Sequence, residues 1–216
     1  NPYSQAINYV FDFIKESYPS SSDLEIFNVG GGFAVPYIID DQKVEIEHYA
    51  ETICKSVKKK VEKLGMAEPQ LVIEPGRAIV ARSGVAIYTV GGIKEIPKIR
   101  TYVSVDGGMA DNIRPALYGA KYSTISVNKT LEPHINMVTI AGKYCETGDK
   151  LSENTLLPQV EPGDLIAILT SGAYNISMSS NYNMSLRPAI LLLNNGISKV
   201  IKRRETYDDL LSTSNL

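Results

Sequence analysis

The chain has 216 residues, a formal net charge of −2 and 44% hydrophobic residues. That length can form one large domain or two smaller ones with buried cores. The near-neutral charge argues against a nucleic-acid or anionic-membrane surface, and no apolar stretch approaches the roughly 20 residues of a membrane helix. The two cysteines, Cys54 and Cys145, form no disulfide framework, so we expect a cytoplasmic protein.

The first part of the chain predicts helix, strand, helix and strand, in that order. The chain starts at Asn1 on an amphipathic pattern, without methionine and without a signal-peptide pattern, so we expect further sequence upstream. Helical spacing predicts a helix over 3–14 that ends at Tyr18–Pro19, and a second from about Val44 to Leu64 that Gly65 closes. Short apolar runs at 24–29 and 71–73 predict strands, which indicates parallel α/β structure. The second helix has a lysine-rich face that we expect to be solvated: Lys55, Lys58, Lys59, Lys60 and Lys63.

The remainder predicts a mostly β domain, which places the boundary near Arg77. We expect strands at 86–90, 100–105, 137–142, 165–170, 188–193 and 199–203, a turn at 194–196 and a last helix at 206–211. The domains are therefore predicted as 1–77 and 78–216. Two strands are too few for a closed α/β barrel, so the first part is either a small appendage or the end of a barrel.

Both predicted α/β strands end in residues suited to an anion. Gly30, Gly31 and Gly32 follow the first, where glycines let a ligand approach the backbone and a following helix N-terminus would add positive charge. Glu74 and Arg77 follow the second, although an isolated pair of this kind is more often a surface ion pair. Since the carboxyl ends of parallel strands form α/β sites, the two together are better evidence than either alone.

Three segments of the β part could also carry chemistry. Arg114 and Tyr118 lie four residues apart after a glycine turn, Cys145 follows a strand, and Tyr174 lies in a polar, aromatic stretch. Each alone is compatible with an ordinary loop, and a lone cysteine after a strand is more often a small buried hydrophobe.

The order and spacing of these motifs resemble the fold-type III pyridoxal-phosphate-dependent decarboxylases, and within them the diaminopimelate decarboxylases. The resemblance runs from about 24 to 211, with Thr147 standing where the family usually has serine. Its landmarks are Asn28-Val29-Gly30-Gly31-Gly32-Phe33, Glu74-Pro75-Gly76-Arg77, Val105-Asp106-Gly107-Gly108-Met109, Arg114-Pro115-Ala116-Leu117-Tyr118, Cys145-Glu146-Thr147-Gly148-Asp149 and Gly172-Ala173-Tyr174.

The resemblance implies the last units of a TIM-type barrel followed by a β-rich C-terminal domain, a homodimer with shared active sites, and decarboxylation of meso-diaminopimelate to L-lysine in lysine biosynthesis. We expect no metal, nucleic-acid or membrane partner. The cofactor, pyridoxal 5'-phosphate, would contact Gly30, Gly31, Gly32, Glu74, Gly76, Arg77 and Tyr174. The substrate would contact Arg77, Arg114, Tyr118 and Glu146. Cys145, which the resemblance implies is the proton donor, and Glu146 would be catalytic and reach in from the partner subunit.

The resemblance also implies a lysine, covalently bound to the cofactor, and a histidine stacked on its ring, both upstream of this chain. Lys43 and the five lysines of the second helix lie on or beside that helix with His48, and His134 follows Glu132-Pro133 in a loop, so we assign none of them a cofactor role. We therefore expect the chain alone to be inactive and prone to aggregate. Another decarboxylase of this fold, for carboxynorspermidine, ornithine or arginine, remains open, as does a non-catalytic regulatory homologue. A β-domain binding module leaves the joint presence of Glu74, Arg77, Arg114 and Cys145 unexplained.

Overall fold

The computed structural model describes residues 1–18, 24–43 and 45–214. The chain forms two compact units, of which the first is Asn1–Pro36 with Asp40–Val80 and the second is Tyr37–Ile39 with Ala81–Leu216. The division of the family's fold into a barrel part, 1–77, and a β domain, 78–216, stays a prediction.

The first unit has the predicted order of helices and strands. The end expected at Pro19 and the helix start expected at Val44 lie outside the described residues, whereas the parallel pairing of the two strands is confirmed. Its elements are α1 (Pro2–Ser17), β1 (Ile26–Asn28), α2 (Ile46–Leu64), β2 (Gln70–Val72) and the short α3 (Arg77–Val80).

The core of the first unit follows from helical periodicity. Asn1 caps α1 by accepting a hydrogen bond from the Tyr3 amide, and Phe11 is fully buried against Phe27 of β1, with ring centroids 5.0 Å apart. Gly65 ends α2 in the left-handed conformation, with φ of 66°, as predicted.

One of the lysines expected on the solvated face of α2 is buried. Lys60 is only 8% exposed, and its ammonium lies 2.7 Å from the Asp12 carboxylate of α1. The sequence interpretation was wrong here because Lys60 sits next to the apolar stripe, where its carbon stem packs while its charge finds a partner. The hydrogen bond from Lys60 lowers the pKa of Asp12.

The second unit is the predicted β-rich domain. Six of its strands form one sheet in the order β5-β8-β3-β4-β6-β7, and the two edge strands also contact each other, so the sheet curls towards a barrel. Its strands are β3 (Ala86–Ile96), β4 (Arg100–Val105), β5 (Thr124–Ser126), β6 (Asn136–Ala141), β7 (Lys150–Leu157), β8 (Leu165–Ile168), β9 (Ile190–Asn194) and β10 (Ile197–Lys202). Its short helices are α4 (Arg114–Tyr118), α5 (Asn175–Met178) and α6 (Tyr207–Leu211).

Strand β3 is longer than predicted and gives the sheet its curvature. Its first half pairs with β8 and its second half with β4, and the register shifts between Val90 and Gly92. Such a bulge bends a strand, which lets one strand serve two neighbours around a curved sheet. The core inside the curve contains Val103 and Ile140, both fully buried.

The predicted hairpin at the end of the chain is confirmed. Strands β9 and β10 pair antiparallel around Asn195 and Gly196, which have φ of 49° and 77°, as a two-residue hairpin turn of this twist requires.

Candidate active site

The ends of β1 and β2 lie side by side, as the sequence predicts. The Glu74 amide after β2 donates a hydrogen bond to the Gly30 carbonyl after β1, at 2.9 Å. A Cβ added to Gly31 would lie 2.5 Å from the Glu74 carbonyl oxygen, so only glycine allows this approach. The glycine segment and the carboxylate therefore share one edge of the first unit.

The backbone of this edge is open to a ligand. Gly30 and Gly32 have φ of 78° and 91°, and a Cβ added to Gly30 or Gly76 would meet no atom within 4 Å. Turns of this kind can present backbone amides to an anion. The helix that follows the glycine segment is α2, which begins at Ile46, and the described residues 33–43 between them form no helix.

Two tyrosines hold the glycine segment from inside the first unit. The Tyr3 hydroxyl donates to the Gly31 carbonyl at 2.6 Å, and the Ala34 amide donates to the Tyr49 hydroxyl at 3.3 Å. Burial and the neighbouring Tyr49 raise the pKa of Tyr3, so its hydroxyl stays protonated and able to donate. The conformation of the segment is thus fixed by the first unit's own side chains.

The carboxylate of Glu74 is oriented by Asn28, which the sequence interpretation quoted only as part of a motif. The Asn28 amide donates to Glu74 Oε1 at 2.7 Å, and its side-chain oxygen accepts from the Gly30 amide at 2.8 Å. One asparagine therefore links the exposed carboxylate to the glycine segment. Arg77 follows three residues later and begins α3, where it is half-buried.

The second unit holds Arg114 in a cage of aromatic rings. The guanidinium carbon lies 5.0, 5.7 and 5.2 Å from the ring centroids of Tyr37, Tyr122 and Tyr174. We call these three tyrosines the tyrosine cage. One guanidinium nitrogen donates to the Tyr122 hydroxyl at 2.6 Å. Cation–π contacts favour the charged form and fix its plane. Of the cage, the sequence interpretation singled out Tyr174 alone.

The charge of Arg114 is not neutralised locally. Across 1–18, 24–43 and 45–214, no carboxylate lies within ion-pair distance of its guanidinium. Tyr122 is buried, and burial raises the pKa of its hydroxyl, so it stays neutral. A planar cation set among neutral rings can recognise a carboxylate from outside.

The other predicted residues near Arg114 occupy different settings. Tyr118 ends the same short helix and is 65% exposed. Tyr174 has φ of 69°, an uncommon conformation for a bulky residue, which brings its ring against Arg114. The structure thus joins Arg114 with Tyr174 and leaves Tyr118 at the surface one helical turn away.

Cys145 and Glu146 lie in the connection between β6 and β7, residues 142–149, which we call the β6–β7 loop. Both are exposed, so the alternative of Cys145 as a buried hydrophobe is wrong. The Tyr182 hydroxyl donates to Glu146 Oε2 at 3.1 Å, and the rings of Tyr182 and Tyr144 meet edge to face at 5.4 Å. A tyrosine from the polar, aromatic stretch thereby orients the carboxylate.

The described residues contain no candidate membrane span and no candidate metal cluster. None of the helices there combines the length and the apolar composition needed to cross a membrane. No group of three or more histidine, cysteine, aspartate or glutamate side chains is placed there to hold a metal ion.

Comparison with known proteins identifies relatives of both units. Diaminopimelate decarboxylase from Bacillus subtilis (strain 168) is 45% identical over 197 residues, which are 91% of this chain and 44% of the relative. The enzyme of the same name from Staphylococcus aureus (strain COL) is 44% identical, over 87% of this chain and 45% of its own. The chain thus spans about half the length of the curated relatives it matches.

Solved structures share the fold. The structure of diaminopimelate decarboxylase from M. jannaschii in complex with L-lysine superposes with a TM-score of 0.91 at 35% identity, covering all of this chain and 48% of the other. The Helicobacter pylori enzyme complexed with L-lysine gives a TM-score of 0.84 at 33% identity, over 98% and 50% of the two chains.

The family model described as "Pyridoxal-dependent decarboxylase, C-terminal sheet domain" matches residues 8–172. That range includes the glycine segment with Glu74, Arg114 with Tyr37 and Tyr122 of the tyrosine cage, and the whole β6–β7 loop. With more than half of its length matched, this chain belongs to the family of pyridoxal-dependent decarboxylases.

Proposed function

We propose that the protein containing this chain decarboxylates meso-diaminopimelate to L-lysine with pyridoxal phosphate, in lysine biosynthesis. The observation that carries the proposal is Arg114, a caged guanidinium for which the described residues supply no carboxylate. The names of the relatives at 44–45% identity agree with this reaction.

The first unit has residues that fit the cofactor. The open backbone at Gly30 and Gly76 fits a phosphate, and Glu74, held by Asn28, fits a protonated ring nitrogen. When bound, the cofactor supplies an electron sink for the electrons released with carbon dioxide. The part of the chain's own residues is to hold the phosphate and to keep a negative charge beside the ring nitrogen, which favours its protonated state.

The substrate explains why a second cation is needed. Diaminopimelate carries a carboxylate and an amine at each end, and only one carboxylate is lost. Arg114 binds the retained carboxylate, with Arg77 and Tyr118 as further predicted contacts. Substrates that end in an amine alone need an acidic anchor instead, and a site built to pair a carboxylate discriminates against molecules that lack it.

Cys145 and Glu146 complete the proposal as groups that act in the partner's site of a homodimer. Cys145 donates a proton to the reacting carbon, and Glu146 contacts the distal amine of the substrate. Their exposure in the β6–β7 loop is compatible with a role at a subunit interface. We further propose that the enzyme is cytoplasmic, where its small amino-acid substrate is available.

The test of the anchor compares two arginines in the complete reading frame that contains these residues. Arg114→Ala should raise both the KM for meso-diaminopimelate and the inhibition constant of L-lysine at least tenfold, because both molecules carry the retained carboxylate. The matched control is Arg100→Ala, since Arg100 also lies near a tyrosine ring but is paired with Glu153 at 3.0 Å. Equal constants in all three proteins would refute the anchor.

A further inference from the structure

Asp149, the last residue of the β6–β7 loop, has a contact pattern unlike that of a surface aspartate. It is only 3% exposed. Its Oδ1 accepts a hydrogen bond from the Met109 amide at 2.6 Å, and its Oδ2 accepts from the Tyr144 amide at 2.8 Å. The two carboxylate oxygens thus join the segment after β4 to the residue that precedes Cys145.

The backbone around Asp149 is shaped to receive this carboxylate. A Cβ added to Gly108 or Gly142 would overlap its oxygens, so both positions require glycine for the approach. Two backbone hydrogen bonds close the base of the loop, from Gly142 to Asp149 at 2.9 Å and from Lys143 to Gly107 at 3.0 Å. The β6–β7 loop is therefore docked on 107–109 by the buried Asp149 carboxylate and by the Lys143–Gly107 backbone hydrogen bond.

The burial of Asp149 opposes the charge on its carboxylate. Burial raises the pKa of Asp149, which means that the desolvation of its charge outweighs the favourable hydrogen bonds from Tyr144 and Met109. The geometry places this carboxylate between 107–109 and the loop that carries the two proposed catalytic side chains, which favours a role in positioning that loop.

We propose that Asp149 is a positioning residue for Cys145 and Glu146. The Asp149 carboxylate fixes the base of the β6–β7 loop through its two hydrogen bonds. The hydrogen bond from the Tyr182 hydroxyl orients Glu146 in the middle of the loop. The inference about catalysis rests on the proposed function, whereas the docking of the loop does not.

The docking is tested by hydrogen exchange on the chain itself. In Asp149→Asn, the side chain keeps one acceptor oxygen and replaces the other with an NH2 group. That group cannot accept from a backbone amide, so one of the two hydrogen bonds is lost. Exchange of the Met109 and Tyr144 amides should become about tenfold faster, while amides of β4 and β6 keep their wild-type rates. The matched control is Asp111→Asn, since the Asp111 carboxylate accepts from the Gly108 amide at 3.1 Å and, among the described residues, has no hydrogen bond to the β6–β7 loop.

Two results would overturn the docking. One is exchange of Met109 and Tyr144 within twofold of wild type in a folded Asp149→Asn protein. The other applies if that variant unfolds: Gly142→Ala keeps the charge but displaces the carboxylate, and wild-type exchange at the same two amides would then refute the proposal.

The catalytic part is tested by a double-mutant cycle in the complete reading frame. If Asp149 acts through Cys145, Asp149→Asn lowers kcat about tenfold in the wild-type background but less than twofold in the Cys145→Ser background. Equal factors in both backgrounds would contradict the positioning role. Inactivity of the wild-type protein would instead refute the proposed function, and the exchange result would still stand.

Discussion

At the scale of single residues, the Arg114 guanidinium gains its orientation from a neutral hydroxyl instead of a carboxylate. Its hydrogen bond to Tyr122 is 2.6 Å long, and Tyr122 lies 3.5 Å from the Asn175 side-chain oxygen. An acid at this position would neutralise the guanidinium and compete with a bound anion. The tyrosine instead fixes the cation and leaves its charge available.

Tyr122→Phe should weaken substrate binding without abolishing it. The variant keeps the ring beside Arg114 but loses the hydroxyl, so we expect the KM for the dicarboxylate substrate to rise about tenfold with little change in kcat. The control is Tyr102→Phe, which alters the tyrosine near Arg100. An unchanged KM in Tyr122→Phe would show that the hydroxyl does not orient the anchor.

Two neighbouring glycines should differ in their tolerance of alanine. Gly31→Ala places a Cβ 2.5 Å from the Glu74 carbonyl, whereas Gly30→Ala meets no atom within 4 Å and suffers only from its φ of 78°. We expect Gly31→Ala to cost about 3 kcal/mol of unfolding free energy and Gly30→Ala about 1 kcal/mol. Urea titration measures both, and a smaller cost for Gly31→Ala would contradict the close approach.

The residue types of the candidate site could be predicted from the sequence, but their contacts could not. Tyr37 and Tyr122 have no sequence signal that separates them from ordinary loop residues, and the family motif that contains Asn28 does not show its contact with Glu74. These roles depend on neighbours distant in the chain. Lys60 was misplaced for a similar reason, since a lysine beside an apolar stripe can face either way until its partner, Asp12, is known. The predicted site roles themselves stay proposals.

At the scale of elements, strands with apolar runs were predictable and polar edge strands were not. Strand β4 was predicted with its bounds, while β5 and β7 were missed. Strand β7 contains Ser152, Glu153 and Asn154 in its middle and buries only Leu151 and Leu157. An edge strand needs few apolar residues, because part of it remains in solvent.

A partly buried ion pair between Arg187 and Glu205 closes the base of the β9–β10 hairpin. The Glu205 carboxylate after β10 accepts from the Arg187 amide and guanidinium, both at 2.8 Å, and from the Asn181 amide at 2.7 Å. These hydrogen bonds, led by that of the Arg187 backbone amide, hold the pKa of Glu205 at about 2. The contribution of Glu205 to the free energy of unfolding is therefore fully present above about pH 4.5 and is lost as the pH falls towards 2.

Glu205→Gln should destabilise the chain in a pH-dependent way. We expect a loss of about 2 kcal/mol in unfolding free energy at pH 7, and a difference from wild type that shrinks between about pH 4.5 and pH 2. Urea titrations at several pH values measure this difference. Glu161→Gln is the control, because its side chain is 74% exposed. A difference that is independent of pH would contradict this role of the ion pair.

At the scale of the whole molecule, two units of different architecture each carry one part of the proposed chemistry. The first unit offers the open glycine backbone and Glu74, and the second offers Arg114 and the β6–β7 loop. The α/β plus β-rich organisation was predictable because the period of the hydrophobic pattern changes along the chain. The curling of the second unit's sheet was not, since it depends on the bulge in β3 and on strand order.

The 216-residue chain alone should not decarboxylate any substrate. It spans 44% of the Bacillus subtilis relative, and the family resemblance implies that the lysine which binds the cofactor covalently lies outside it. Carbon dioxide release from meso-diaminopimelate with added pyridoxal phosphate should equal that of a protein-free control. Release above this background that depends on the folded chain would contradict the prediction.

The most direct test of the proposed function is carbon dioxide release by the complete reading frame, with pyridoxal phosphate, from meso-diaminopimelate, L-ornithine, L-arginine and carboxynorspermidine. We predict a kcat/KM for meso-diaminopimelate at least 100-fold above the others, because only this substrate pairs its retained carboxylate with Arg114. Preference for another substrate would contradict the assigned reaction, and inactivity with all four would favour a non-catalytic regulatory protein.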